Sequence, residues 1–129
     1  MLEREVPRAI PIANGYAGAI PANSAVIVSS ATRRVCTVSR PTAAGAAVIL
    51  VTDFQNTPQS GRGHASMDWP LWMKYNGTLA AGGALGTAAN SFEMTGGNTG
   101  FTALAVDSTN HLALIFPTGG GTSTWEANT

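Results

Sequence analysis

The sequence predicts an all-β fold, a small compact β-sandwich or barrel-like domain of about eight short strands, and three observations lead there. Helical periodicity is nearly absent, because glycine or proline interrupts almost every window of about 12 residues. Short runs of alternating or continuous apolar residues recur instead, each bounded by residues that favour turns. Charged residues make up only 11% of the 129-residue chain, against about 25% in an average globular domain, so the long uncharged segments read as packed β structure rather than disorder.

The strands expected in order are Ala9–Ile12, Ala25–Val28, Val35–Ser39, Ala46–Thr52, Leu71–Tyr75, Phe92–Met94, Phe101–Val106 and His111–Phe116. Asn14-Gly15, Pro21-Ala22-Asn23, Pro41 to Gly45, Asn76-Gly77, Gly82-Gly83, Gly96-Gly97-Asn98 and Asp107 to Asn110 separate them. Such residues supply a positive φ or preset a turn. The last pair is the clearest hairpin. Phe101, Ala103 and Ala105 alternate with Thr102, Leu104 and Val106, so both faces are largely apolar and the strand is expected to be central. Asn14-Gly15 and Asn76-Gly77 each precede a small-residue stretch and then a strand, an echo too thin to be called a duplication.

Residues 9–117 are expected to form one β domain, as the length suggests. Residues 54–68, polar and containing Gly61-Arg62-Gly63-His64, read as a long loop of the kind that often carries function or an interface. Residues 1–8 read as a charged N-terminal arm. Residues 118–129, with Gly119-Gly120-Gly121 and then Trp125, read as a flexible tail whose tryptophan could anchor on a neighbour.

Seven basic residues balance seven acidic ones, so the chain carries no electrostatic footprint for nucleic acid or an anionic membrane. The longest apolar stretch, Ala43 to Val51, falls far short of the roughly 20 residues of a membrane helix. The charged N-terminus lacks a secretory apolar core, so a soluble protein made in a cytoplasm is expected. Cys36 is the single cysteine, which excludes an intrachain disulfide framework; it reads as a small buried hydrophobe between Val35 and Val38.

No constellation for chemistry emerges. His64 and His111 are the two histidines, without metal-ligand spacing, and His64, although Asp68 lies four residues after it, reads as a solvated loop histidine. There is no G-x-S-x-G nucleophile elbow. Asp107-Ser108-Thr109 lacks the glycine of an aspartic-protease turn and reads as a hairpin turn. Gly82 to Gly86 has neither the lysine nor the following helix of a phosphate loop. The expectation is a non-enzyme with no cofactor and no metal.

Partner contacts are the alternative use for the conspicuous residues. Trp69-Pro70-Leu71-Trp72-Met73-Lys74-Tyr75 is the strongest aromatic concentration, and alternation sets Trp72 apart from Trp69, Leu71, Met73 and Tyr75. One tryptophan therefore enters the core, while the other faces solvent or a partner, where tryptophan is a frequent hot spot. Arginine is also enriched at interfaces. The expected contact set is Glu3, Arg4, Glu5 and Arg8 of the arm, Arg33 and Arg34 of a turn, Arg62 and His64 of the loop, and Trp69, Trp72 and Trp125.

The C-terminal half has a further pattern. Gly77-Thr78-Leu79-Ala80-Ala81-Gly82-Gly83-Ala84-Leu85-Gly86-Thr87 is followed by Phe92-Glu93-Met94, by Gly100 to Val106, and by His111 to Phe116. With Ala22 to Val28 and the Thr42 to Gly45 turn in the N-terminal half, this resembles the small capsid decoration, or head cement, proteins of tailed bacteriophages. The resemblance runs from about Ala9 to Pro117, is specific from Gly77 onward, and does not extend to residues 54–68 or the glycine-rich tail. It implies an all-β virion protein, made in the host bacterial cytoplasm, that binds the major capsid protein on the outside of the mature head. It also implies homotrimers at threefold or quasi-threefold positions that stabilise the shell, and no catalytic residue. Two other readings share the composition: another virion component, such as a head fibre base or tail protein, and a carbohydrate-binding β module using Trp69, Trp72 or Trp125.

Overall fold

The computed structural model describes residues 9–46 and 48–118. Within them the chain forms ten short strands and no helix. They are β1 (Ile10–Asn14), β2 (Ala25–Ala31), β3 (Cys36–Ser39), β4 (Leu50–Thr52), β5 (Arg62–Ser66), β6 (Leu71–Asn76), β7 (Ala84–Thr87), β8 (Met94–Gly96), β9 (Phe101–Asp107) and β10 (Leu112–Pro117). The all-β expectation holds, but the strands number ten rather than about eight, and β5 and β7 account for the difference. Residues 54–68 are therefore not one long loop, because their second half is a barrel strand.

The strands close into two five-membered barrels, one ordered β1-β3-β2-β4-β5 and the other β10-β6-β8-β7-β9. These two orders are the same cycle. In each barrel the first strand lies parallel to the third and antiparallel to the fifth, while the second pairs with the third and fourth. The fourth and fifth strands pair as well.

The registers also correspond. Asn14↔Val38 in the first barrel matches Tyr75↔Met94 in the second, Val26↔Leu50 matches Leu85↔Phe101, and Ile10↔Ala65 matches Leu71↔Ile115. Loop hydrogen bonds follow suit. Asn14 N–H donates to the Gly61 carbonyl as Tyr75 N–H donates to His111, and Thr52 N–H donates to Ser24 as Ala103 N–H donates to Gly83. Asn23 and Gly82, which correspond, both have positive φ, at 53° and 86°. The thin echo in the sequence thus has a structural counterpart, displaced by one residue, since Asn14 corresponds to Tyr75 and not to Asn76.

Each barrel is filled by its inward residues. Ile12, Ile20, Val26, Val38, Leu50 and Ala65 fill the first; Leu71, Met73, Tyr75, Leu85, Met94, Phe101, Ala103, Ala113 and Ile115 fill the second. Ala25, Ile49 and Val51 join the second cluster, because the outer face of β2 and β4 packs against the second barrel. Backbone bonds fix this junction: Lys74 N–H donates to the Asn23 carbonyl and Ala25 N–H to Phe92. Burial of a continuous apolar cluster across it is the main force holding the barrels together.

Two details depart from the sequence reading. β9 is central, paired with both β10 and β7, but its alternation breaks. Leu114 faces Ala105 and Ile115 faces Ala103, so Leu104 is the extra residue of a bulge, and beyond it Val106 turns toward the core. Cys36 is half-buried at the margin of the first core rather than enclosed.

Candidate functional site

β5 presents Arg62 and His64 outward because its inward positions are Gly63 and Ala65. Gly63 has to be small. A β-carbon there would stand 2.5 Å from the Thr57 hydroxyl, and Thr57 is itself only 2% exposed. Pro11 lies beside His64 and Ala13 beside Arg62 on β1. Pro11, Arg62 and His64, with Asp53, Gln55 and Asn56, border an open surface cavity of about 290 Å³. The overhanging segment is held by its own bonds. Asp53 accepts from the Gln55 N–H at 3.0 Å, Asn56 accepts from the Ala22 N–H at 2.9 Å, and Asp53 N–H donates to the His64 carbonyl at 3.1 Å.

Arg33 and Arg34 project from the β2–β3 turn, both exposed. The Thr32 hydroxyl shapes that turn by accepting the N–H groups of Arg34 and Val35, each at 3.2 Å. Since β3 runs parallel to β1 with Cys36 beside Ile12, this pair sits near the start of β1, whereas Arg62 sits near its end. The four basic side chains are therefore spread along the first barrel rather than gathered into one patch.

The two tryptophans among the described residues take opposite roles. Trp69 packs on the core, its ring 5.1 Å from that of Phe101. Trp72 points outward from β6 and is 42% exposed, while Leu71, Met73 and Tyr75 on the same strand are buried. Trp69 thus has an intramolecular occupation, and Trp72 is the tryptophan open to a partner. Glu3, Arg4, Glu5, Arg8 and Trp125, with the arm and most of the tail, lie outside the described residues.

Exposed apolar residues that the sequence reading did not single out include Phe54 at 77%, Val48 at 67% and Leu104 at 51%, with Met67 and Val28 less exposed. Phe54 carried a usable signal, being a lone aromatic in a polar stretch. Leu104 follows the alternation of its strand, on the face opposite Phe101 and Ala103, and the bulge adds Ala105 to that face.

Ionisable chemistry is sparse. Among the described residues no group of three or more His, Cys, Asp or Glu side chains is placed to hold a metal ion, and no buried side-chain N or O atom lacks a hydrogen-bond partner. Asp107 is the group whose carboxyl is held below the ordinary value, first by the Asn110 side-chain amide and then by the Asn110 N–H. That is the signature of a capped turn. No known protein family, curated protein or solved structure matches the chain.

Proposed function

We propose that the chain is a virion structural protein, a decoration protein that binds the major capsid protein on the outside of a mature phage head and stabilises it, working as trimers and without catalysis. The observation that carries the reading is the character of the surface. Two closed barrels with satisfied buried side chains present exposed apolar residues, Phe54, Val48 and the row that holds Trp72 and Leu104, and the whole chain carries zero net charge. A contiguous exposed apolar row marks a contact site, and a neutral chain allows many copies to sit close together without mutual repulsion. The resemblance of residues 77–116 to head cement proteins supplies the identity of the partner. The protein would be made in the bacterial cytoplasm and reside on the capsid exterior.

The test is co-sedimentation of the purified chain with expanded and unexpanded capsids. Saturable binding to the expanded form, at a stoichiometry set by the lattice, is the expected result, and removal of residues 1–8 should weaken it while leaving the fold intact. Absence of binding to both forms overturns the reading.

A further inference from the structure

The internal correspondence of the barrels exposes a difference between two otherwise equivalent faces. On the first barrel, the outer face of β1 and β5 presents Pro11, Arg62 and His64. The corresponding positions on β6 and β10 of the second barrel are Trp72, Leu112 and Leu114. Trp72 is paired across β10 with Leu114 and then with Ala105 on β9, which the bulge sets beside Leu104. The result is an apolar row over three strands, with Trp72 42% and Leu104 51% exposed. One step along the strands, Leu112 lies between Lys74 on β6 and Asp107 on β9.

We propose that this face of β6, β10 and β9 is a twofold interface with a second copy of the chain, its axis running along β10. The charge pattern selects that axis. Rotation about a line parallel to β10 keeps height along the strand and exchanges the flanks, so β6 of one copy faces β9 of the other. Lys74 then meets the second copy's Asp107, twice, and Trp72 meets the second copy's Leu104. A twofold axis across the strands would instead bring β6 onto β6, leaving both charges opposite apolar or like residues. Isologous contacts require a self-complementary patch of this kind. An aliphatic row flanked by a tryptophan and rimmed by opposite charges has the usual anatomy of an interface. The contact requires no capsid. On a shell carrying trimers it would join neighbouring trimers across the twofold positions between them.

The experiment is sedimentation equilibrium, at a temperature well below every thermal midpoint, of the full chain and of variants that remain folded there. Self-association is expected in the parent, and Leu104→Asp should weaken it by at least about tenfold, the usual cost of losing an anchoring contact. Lys74→Glu alone and Asp107→Lys alone should each weaken it, because each homodimer then faces like charges. An equimolar mixture of the two should recover it, since both cross-pairs become attractive. A monomeric parent, association unmoved by Leu104→Asp, or a mixture no stronger than its components would each overturn the proposal. Capsid binding by Leu104→Asp reads the decoration function separately: retained binding by a monomeric variant leaves that function standing and confines this face to self-association.

Discussion

Gly86 on β7 lies so close to Thr99 that a β-carbon there would stand 1.9 Å from the Thr99 carbonyl oxygen, well inside any contact that real side chains make. The 97–100 segment therefore closes over the outer face of β7 only because position 86 has no side chain. Gly86→Ala should destabilise the protein by about 3 kcal/mol, the upper range for overpacking. Urea unfolding measures it. Gly82→Ala makes the comparison, because nothing lies within 4 Å of that site and only its positive φ resists a side chain; about 1 kcal/mol is expected there.

Thr87 should be as sensitive, for a polar reason. Its hydroxyl accepts the Ala46 N–H at 2.7 Å and donates to the Ala43 carbonyl at 3.0 Å, and the residue is fully buried. Thr87→Val keeps the shape and strands both groups, so a loss of about 2 kcal/mol is expected. The exchange rate of the Ala46 amide should rise in the variant; an unchanged rate would show that the bond does not hold the 43–46 turn on the second barrel.

Asn14 organises the turn region of the first barrel. Its amide donates to the carbonyls of Gly18, Thr57 and Pro58, and its oxygen accepts the Tyr16 N–H at 2.7 Å. Asn14→Ala should cost about 3 kcal/mol, since several groups lose one partner together. Thermal unfolding gives the magnitude. Asn14→Asp should be nearly as harmful, because it keeps the acceptor and loses both donors.

Asp107 provides a pH dependence with a definite sign. Hydrogen bonds from the Asn110 side chain and N–H favour its ionised form, so its folded carboxyl titrates below the unfolded one. Its contribution to stability is present above the unfolded value and disappears as pH falls through the folded value. Carboxyl NMR titration should show Asp107 returning toward the ordinary range in Asn110→Ala. The stability difference between that variant and the parent should also shrink on acidification; a constant difference across that range would remove the linkage.

Much of this architecture was legible where strands follow a simple period. Leu71, Met73 and Tyr75 go inside and Trp72 outside, as alternation dictates, and Asp107 to Asn110 closes the last hairpin. β5 was hidden because its inward residues are Gly63 and Ala65, the space they leave being occupied by Thr57 from a distant turn. β7 was hidden for a related reason. Its outward Gly86, a poor strand former, is dictated by Thr99, and its inward Thr87 sets a polar residue where alternation calls for an apolar one because it binds the 43–46 turn. Long-range packing decided both strands, and no local window contains it. Ala105 joins the exposed row around Leu104 through a bulge, which also has no local signature.

Ring closure has a consequence for how this molecule meets its surroundings. An open sheet ends in a strand with idle donors and acceptors, which can template the addition of a strand from another chain. Here the hydrogen-bond ladders of residues 9–46 and 48–118 run full circle in both rings. Where the rings are closed, a neighbour must therefore be engaged by side chains and turns, whereas the stretch of β2 from Ile27 to Ala31 pairs with β3 and not with β4. At the very high local concentrations of an ordered array, such a protein can sit flank to flank with its own copies and remain discrete units, instead of seeding a fibre.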